Sequence, residues 1–152
     1  MRTIRFIFCI VICFISMQAF AQTDEKVLKE AVEFTLQAID RTDKKGVEVS
    51  NKIDKLSNEM SNEFYVKHES LINETIEFMK EFTSYRSKHR EELSNAYKYL
   101  KMTLEMYKTP DFKPNEDAIG EVTTTTVIIL SKLDDLLNKT DNNLTKIRKF
   151  LP

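Results

Sequence analysis

Cysteine, glycine, proline and tryptophan are almost missing from this sequence. It has two cysteines, two glycines, three prolines and no tryptophan in 152 residues. Both cysteines, Cys9 and Cys13, lie in an apolar stretch near the start, residues 6–15 (FIFCIVICFI). Beyond that stretch there is no thiol, which excludes a disulfide framework, thiolate metal sites and thiol catalysis from the rest of the chain. Gly46 and Gly120 stand in neither a phosphate-cradling loop nor a calcium loop. The G-x-S-x-G elbow of serine hydrolases is absent as well.

Charge of one sign is also lacking. Lys and Arg number 23, Asp and Glu 24, and the signs interleave rather than forming blocks. That is the pattern of a solvated helical surface, and it gives no long-range attraction to nucleic acid or anionic lipid. Histidine occurs only at His68 and His89, 21 residues apart. On one helix that is about 30 Å, so the two cannot share a metal. Neither completes the Glu-x-x-His motif of bundle metal sites, since Tyr65 and Arg86 stand three residues before them. Glu91-Glu92 and Asp134-Asp135 are adjacent pairs. On a helix such neighbours diverge by about 100°, so they do not form an acid–base dyad. No metal or cofactor is expected, and no enzyme.

What is present begins with the first residues. Arg2 and Arg5 give a basic start, residues 6–15 an apolar core, and Ala19-Phe20-Ala21 a small-x-small end. Together they make a secretory signal peptide, residues 1–21, cleaved after Ala21. The apolar core is shorter than the roughly 20 residues of a bilayer span. Residues 123–130 (TTTTVIIL) are too short as well, so no transmembrane segment is expected after cleavage. Cleavage removes Arg2 and Arg5 and moves the formal charge from −1 to −3. Residues 22–152 are expected to be a single helical domain, secreted and extracellular, or periplasmic in a bacterial source.

Between Val47 and Thr109 there is neither glycine nor proline. Such a stretch, rich in Glu, Lys, Leu and Met, predicts helix. A first helix is expected from Thr23 or Asp24 to about Thr42, with Val27, Leu28, Ala31, Val32, Phe34, Ala38 and Ile39 on its apolar stripe. Residues 43–46 (DKKG) read as a turn, with Gly46 as a left-handed cap. The central segment carries one seam through Val49, Ile53, Leu56 and Met60, and a second through Phe64, Leu71, Phe78 and Tyr85. The frames meet out of register near residues 57–70, so a break there competes with one unbroken helix over 47–108. Residues 109–114 (TPDFKP) predict a loop. The last helix carries Ile119, Val122, Thr126, Ile129, Leu133 and Leu136 at 3-4 spacing. Residues 123–129 are all β-branched and alone favour a strand, but the seam runs through them and no second strand exists to pair.

The expected fold is all-α, an antiparallel helical bundle of three or four amphipathic helices. The alternative is an elongated coiled coil with one long central helix, completed by a second chain. Two features hold candidate sites. Asn73, Asn138 and Asn143 head glycosylation sequons. Phe78, Phe82 and Tyr85, with Met79, Met102, Met106 and Tyr107, form a soft stripe that reads as core or as a contact for an apolar partner. The expected function is non-enzymatic: protein–protein contact with an unknown partner or with itself. The alternative is a carrier of a fatty or other apolar ligand.

Overall fold

The computed structural model describes residues 25–151. They form an all-α helical bundle with no strand among them. The elements are α1 Glu25–Glu59, α2 Asn62–Lys67, α3 Glu69–Lys88, α4 Arg90–Met106 and α5 Glu116–Phe150. They divide into two compact units. The first holds residues 25–40 of α1, all of α4 and residues 116–131 of α5. The second holds residues 41–59 of α1, α2, α3 and residues 132–150 of α5.

The first unit is built on two clusters. Leu28, Val32, Leu100 and Ile119 are buried together, with Leu36, Tyr99, Leu104 and Val122 packed on them. Ala38, Ile39 and Leu130 form the other, with Leu93 and Tyr97. Residues 107–115 join α4 to α5, and the contact of Leu100 with Ile119 folds the two into a hairpin. Asp111 takes a positive φ of 62° in this connection, a backbone region that Asp tolerates better than most residues. Asn115 then caps α5 by accepting the Ala118 N–H at 3.1 Å.

Residues 123–129 are helical. Thr123, Thr126, Val127 and Ile129 are buried, so packing overrides their strand propensity. The threonine hydroxyls are satisfied locally. Thr123 Oγ1 donates to the Ile119 carbonyl at 2.8 Å. Buried Thr35, Thr75, Thr103 and Thr140 each donate to the carbonyl four residues back. A threonine placed this way enters a helical core without an orphan donor.

One hydroxyl in the first unit is not satisfied. Tyr107 Oη is buried without a hydrogen-bond partner among the described residues. Burial and the nearby carboxylates of Glu25 and Glu116 push its pKa above the ordinary value of 10.0. The folded state therefore keeps this proton after the unfolded chain has lost it, and stability falls as pH rises beyond about 10. Tyr107→Phe is expected to gain about 1 kcal/mol at neutral pH by removing the orphan donor. It should also reduce the alkaline loss. Urea unfolding of both proteins across that pH range checks this, and an identical alkaline loss would contradict it.

The expected turn at residues 43–46 does not form. Helix α1 continues through it, and no glycine among the described residues has a positive φ. The reason lies in the second unit, where the Phe82 ring closes over Gly46. A Cβ built at Gly46 would sit 3.3 Å from Phe82 Cζ. Glycine inside a helix costs about 1 kcal/mol. Here it lets an aromatic ring approach the helix backbone. Of the two readings left open for residues 47–108, the structure shows the break near residues 57–70 and not the continuous helix. Residues 60 and 61 leave the helix. Ser61 caps α2 by accepting the Phe64 N–H at 3.2 Å. Further interruptions fall at His68 and His89, the two histidines.

The core of the second unit comes from Val49 and Leu56 on α1, Ile72 and Phe82 on α3, and Leu133, Leu136, Leu137, Leu144 and Ile147 on α5. Polar ties fix the register. Lys45 Nζ donates to Asp134 Oδ1 and to Asn138 Oδ1, both at 2.7 Å, and Asn138 Nδ2 donates to Asp134 Oδ2 at 3.0 Å. Arg86 pairs with Asp43, Lys132 with Glu81, and Arg148 with Glu59. The Glu81 bond raises the Lys132 pKa.

Candidate functional site

Helix α3 is apolar on more than one line. Thr75, Phe78 and Phe82 form the line that packs inward, with Thr75 and Phe82 buried and Phe78 half-buried. Ile72, Ile76, Met79 and Thr83 form a second line, displaced by about 100° at each step. The second line borders a groove in the second unit.

The groove has a volume of about 1060 Å³. Its apolar lining comes from Ile53, Leu56 and Met60 of α1, from Ile72, Ile76 and Met79 of α3, and from Leu144 and Ile147 of α5. The α1 and α2 side adds Ser57, Ser61, Asn62 and Tyr65. Thr83, Ser84 and Ser87 stand along α3 beside Lys80 and Lys88. Among the described residues no carboxylate, histidine or cysteine lines the groove. Its charges among these residues are two ammonium groups, and no carboxylate or imidazole stands beside its hydroxyls as a general base. Lys80 Nζ lies 2.7 Å from Glu77 Oε1, in a pair with both side chains 67% exposed. The groove can bury an apolar surface and meet negative charge at one edge.

A smaller cleft of about 340 Å³ lies among Arg41, Lys44, Lys45, Glu48, Val49 and Lys52, with Asp141 opposite. Lys45 is held by Asp134 and Lys52 by Asp141, so half of its cations are already neutralised.

The sequence-predicted residues scatter. Phe82 is buried on Gly46, and Phe78 is half-buried with Lys139 Nζ 5.8 Å from its ring centre. Tyr85 is half-buried. None of these three lines the groove, whereas their neighbour Met79 does. Met102 and Met106 are exposed on α4 in the first unit. Tyr107 meets Phe112 edge-on at 5.2 Å. His68 stacks on Phe150 at 4.8 Å and also touches Phe64, while His89 pairs with Glu92.

The three sequons differ sharply. Asn143 is 4% exposed, and its Nδ2 donates to Glu74 Oε2 at 2.9 Å. Asn138 is half-buried in the triangle with Lys45 and Asp134. Asn73 is exposed, with its Oδ1 accepting the Tyr65 hydroxyl. Only Asn73 has room for a glycan without loss of a packed amide.

Sequence reasoning missed the groove because it followed the inward line of α3. The signal was there: Ile72, Ile76 and Met79 repeat at four and three residues, one position behind Leu71, Thr75 and Phe78. Among the described residues no three histidines, cysteines or carboxylates are placed to hold a metal. No helix among them is long and apolar enough to cross a membrane. Compared with known proteins, the chain matches no family model, no curated protein and no solved structure.

Proposed function

We propose that this is an exported, non-enzymatic helical protein that acts by contact, through the groove of the second unit. Export is read from residues 1–21, which lie outside the described residues. The contact reading is carried by one observation. A groove of about 1060 Å³ has an apolar floor made by three helices and, among the described residues, no carboxylate, histidine or cysteine in its lining. Met60 and Met79 in that floor suit a surface that adapts to its guest, because the thioether side chain is flexible and polarisable. Apolar surface left open between helices is the kind of patch that interaction sites and ligand grooves present.

The alternative function, a carrier of an apolar ligand, uses the same floor. Both readings require that the groove of the folded protein take up an apolar molecule. Titration with the neutral fluorescent dye prodan tests this. The protein is expected to bind the dye, and Met79→Glu, which places a charge on the floor, is expected to weaken binding about ten-fold or more. Dye binding that Met79→Glu leaves unchanged would remove the groove from the account.

A further inference from the structure

We propose that the occupant of this groove is an amphipathic helix of another protein, with acidic residues along the edge that meets Lys80 and Lys88. This inference rests on the contact reading above and names the partner chemistry.

Length is the first argument. The α3 side of the groove runs from Ile72 to Lys88, which at 1.5 Å per residue is about 24 Å. That matches four to five turns of a partner helix, about twice the stretch needed to present one set of anchors at i, i+3, i+4 and i+7. Openness to solvent is the second. Small-molecule sites are typically about 300–1,000 Å³ and enclose most of their ligand. This groove reaches the top of that range while remaining open to solvent. An acyl chain lying in it would keep one side wet. An amphipathic helix would bury its apolar stripe and leave its polar face in water.

Charge is the third argument, and it sets the sign. Among the described residues the lining holds two lysines and no carboxylate. Lys80 and Lys88 are eight residues apart, so they stand on the same side of α3, about 12 Å from each other. A partner helix with carboxylates seven or eight residues apart meets both. Lys80 already pairs with Glu77, but that pair is exposed and exchanging it for a partner carboxylate costs little. Glu59, near the other end of the groove, is held by Arg148 and does not oppose an acidic guest.

The test uses the full protein and two designed helical peptides of about five turns. Both carry the same leucine stripe. One carries glutamates on its flanks and the other lysines. Fluorescence anisotropy should show binding of the acidic peptide, about ten-fold or more tighter than of the basic one. The charge-reversed variant K80E/K88E, folded by circular dichroism, should invert that preference. Equal binding of the two peptides, or a preference that K80E/K88E leaves in place, overturns the proposal. So does failure of both peptides while sodium oleate displaces prodan, an outcome that leaves the groove standing as a lipid site. If the folded protein binds no dye at all, the contact reading fails first, and that failure is distinct from a wrong occupant.

Discussion

Ile129→Asp is expected to remove much of the stability of the first unit. Ile129 is 4% exposed, on the β-branched run of α5. An aspartate there buries a carboxylate without a cation and leaves a void where the side chain packed. The combined cost is about 4 kcal/mol or more. A domain has only about 5–15 kcal/mol to lose. Thr125→Asp, four residues earlier and exposed, should stay within about 0.5 kcal/mol of the parent. Urea unfolding followed by circular dichroism measures both. Equal and mild effects would mean that α5 buries a different face.

The second large effect is in the other unit. Asp134→Ala removes an acceptor from the Lys45 ammonium and another from the Asn138 amide. The Lys45 and Asp134 side chains are 26% and 17% exposed, so water replaces the lost bonds only in part. The expected cost is about 2–3 kcal/mol. Replacing both charges, as in Lys45→Met with Asp134→Leu, should recover most of it, because no unpaired ion remains. A double-mutant cycle is expected to give a coupling of about 1–2 kcal/mol between the two sites. Strict additivity would mean that the triangle contributes nothing as a unit.

Much of this architecture was legible in order along the chain. Ile119, Ile129, Leu133 and Leu136 are buried where their 3-4 spacing puts them. The seam mismatch at residues 56–64 left a break and an unbroken helix as competing readings, and the chain breaks after Glu59. The β-branched run read as helix because a seam passed through it, and burial of Thr123, Thr126, Val127 and Ile129 is the physical reason it stays helical. Local patterns of this kind report which face of one element is apolar.

What stayed hidden depends on residues far apart in sequence. Asp-Lys-Lys-Gly has every local mark of a turn, yet the segment is held as helix by distant partners: Arg86 on Asp43, Asp134 on Lys45 and the Phe82 ring, 36 residues later, on Gly46. The groove is hidden for a related reason. Helix α3 carries two apolar lines, and sequence cannot say which one the rest of the protein covers. The inward line holds Phe78 and Phe82, whose aromatic rings give it the stronger local signal. The line left facing the groove holds Ile76, 40% exposed, and Met79. The sequons gave a similar lesson. Three identical patterns become one exposed amide, one half-buried amide and one buried amide once the helices pack.

The methionines offer the most direct measurement of the central claim. Four lie among the described residues, Met60 and Met79 at the groove and Met102 and Met106 exposed on the first unit. Isotope labelling of their methyl groups gives four probes in one NMR spectrum during the prodan titration. Contact through the groove predicts that the Met60 and Met79 signals move together and saturate, while Met102 and Met106 stay fixed. Movement of Met102 and Met106 with Met60 and Met79 unchanged would contradict the account, because the apolar contact would then lie on the other unit.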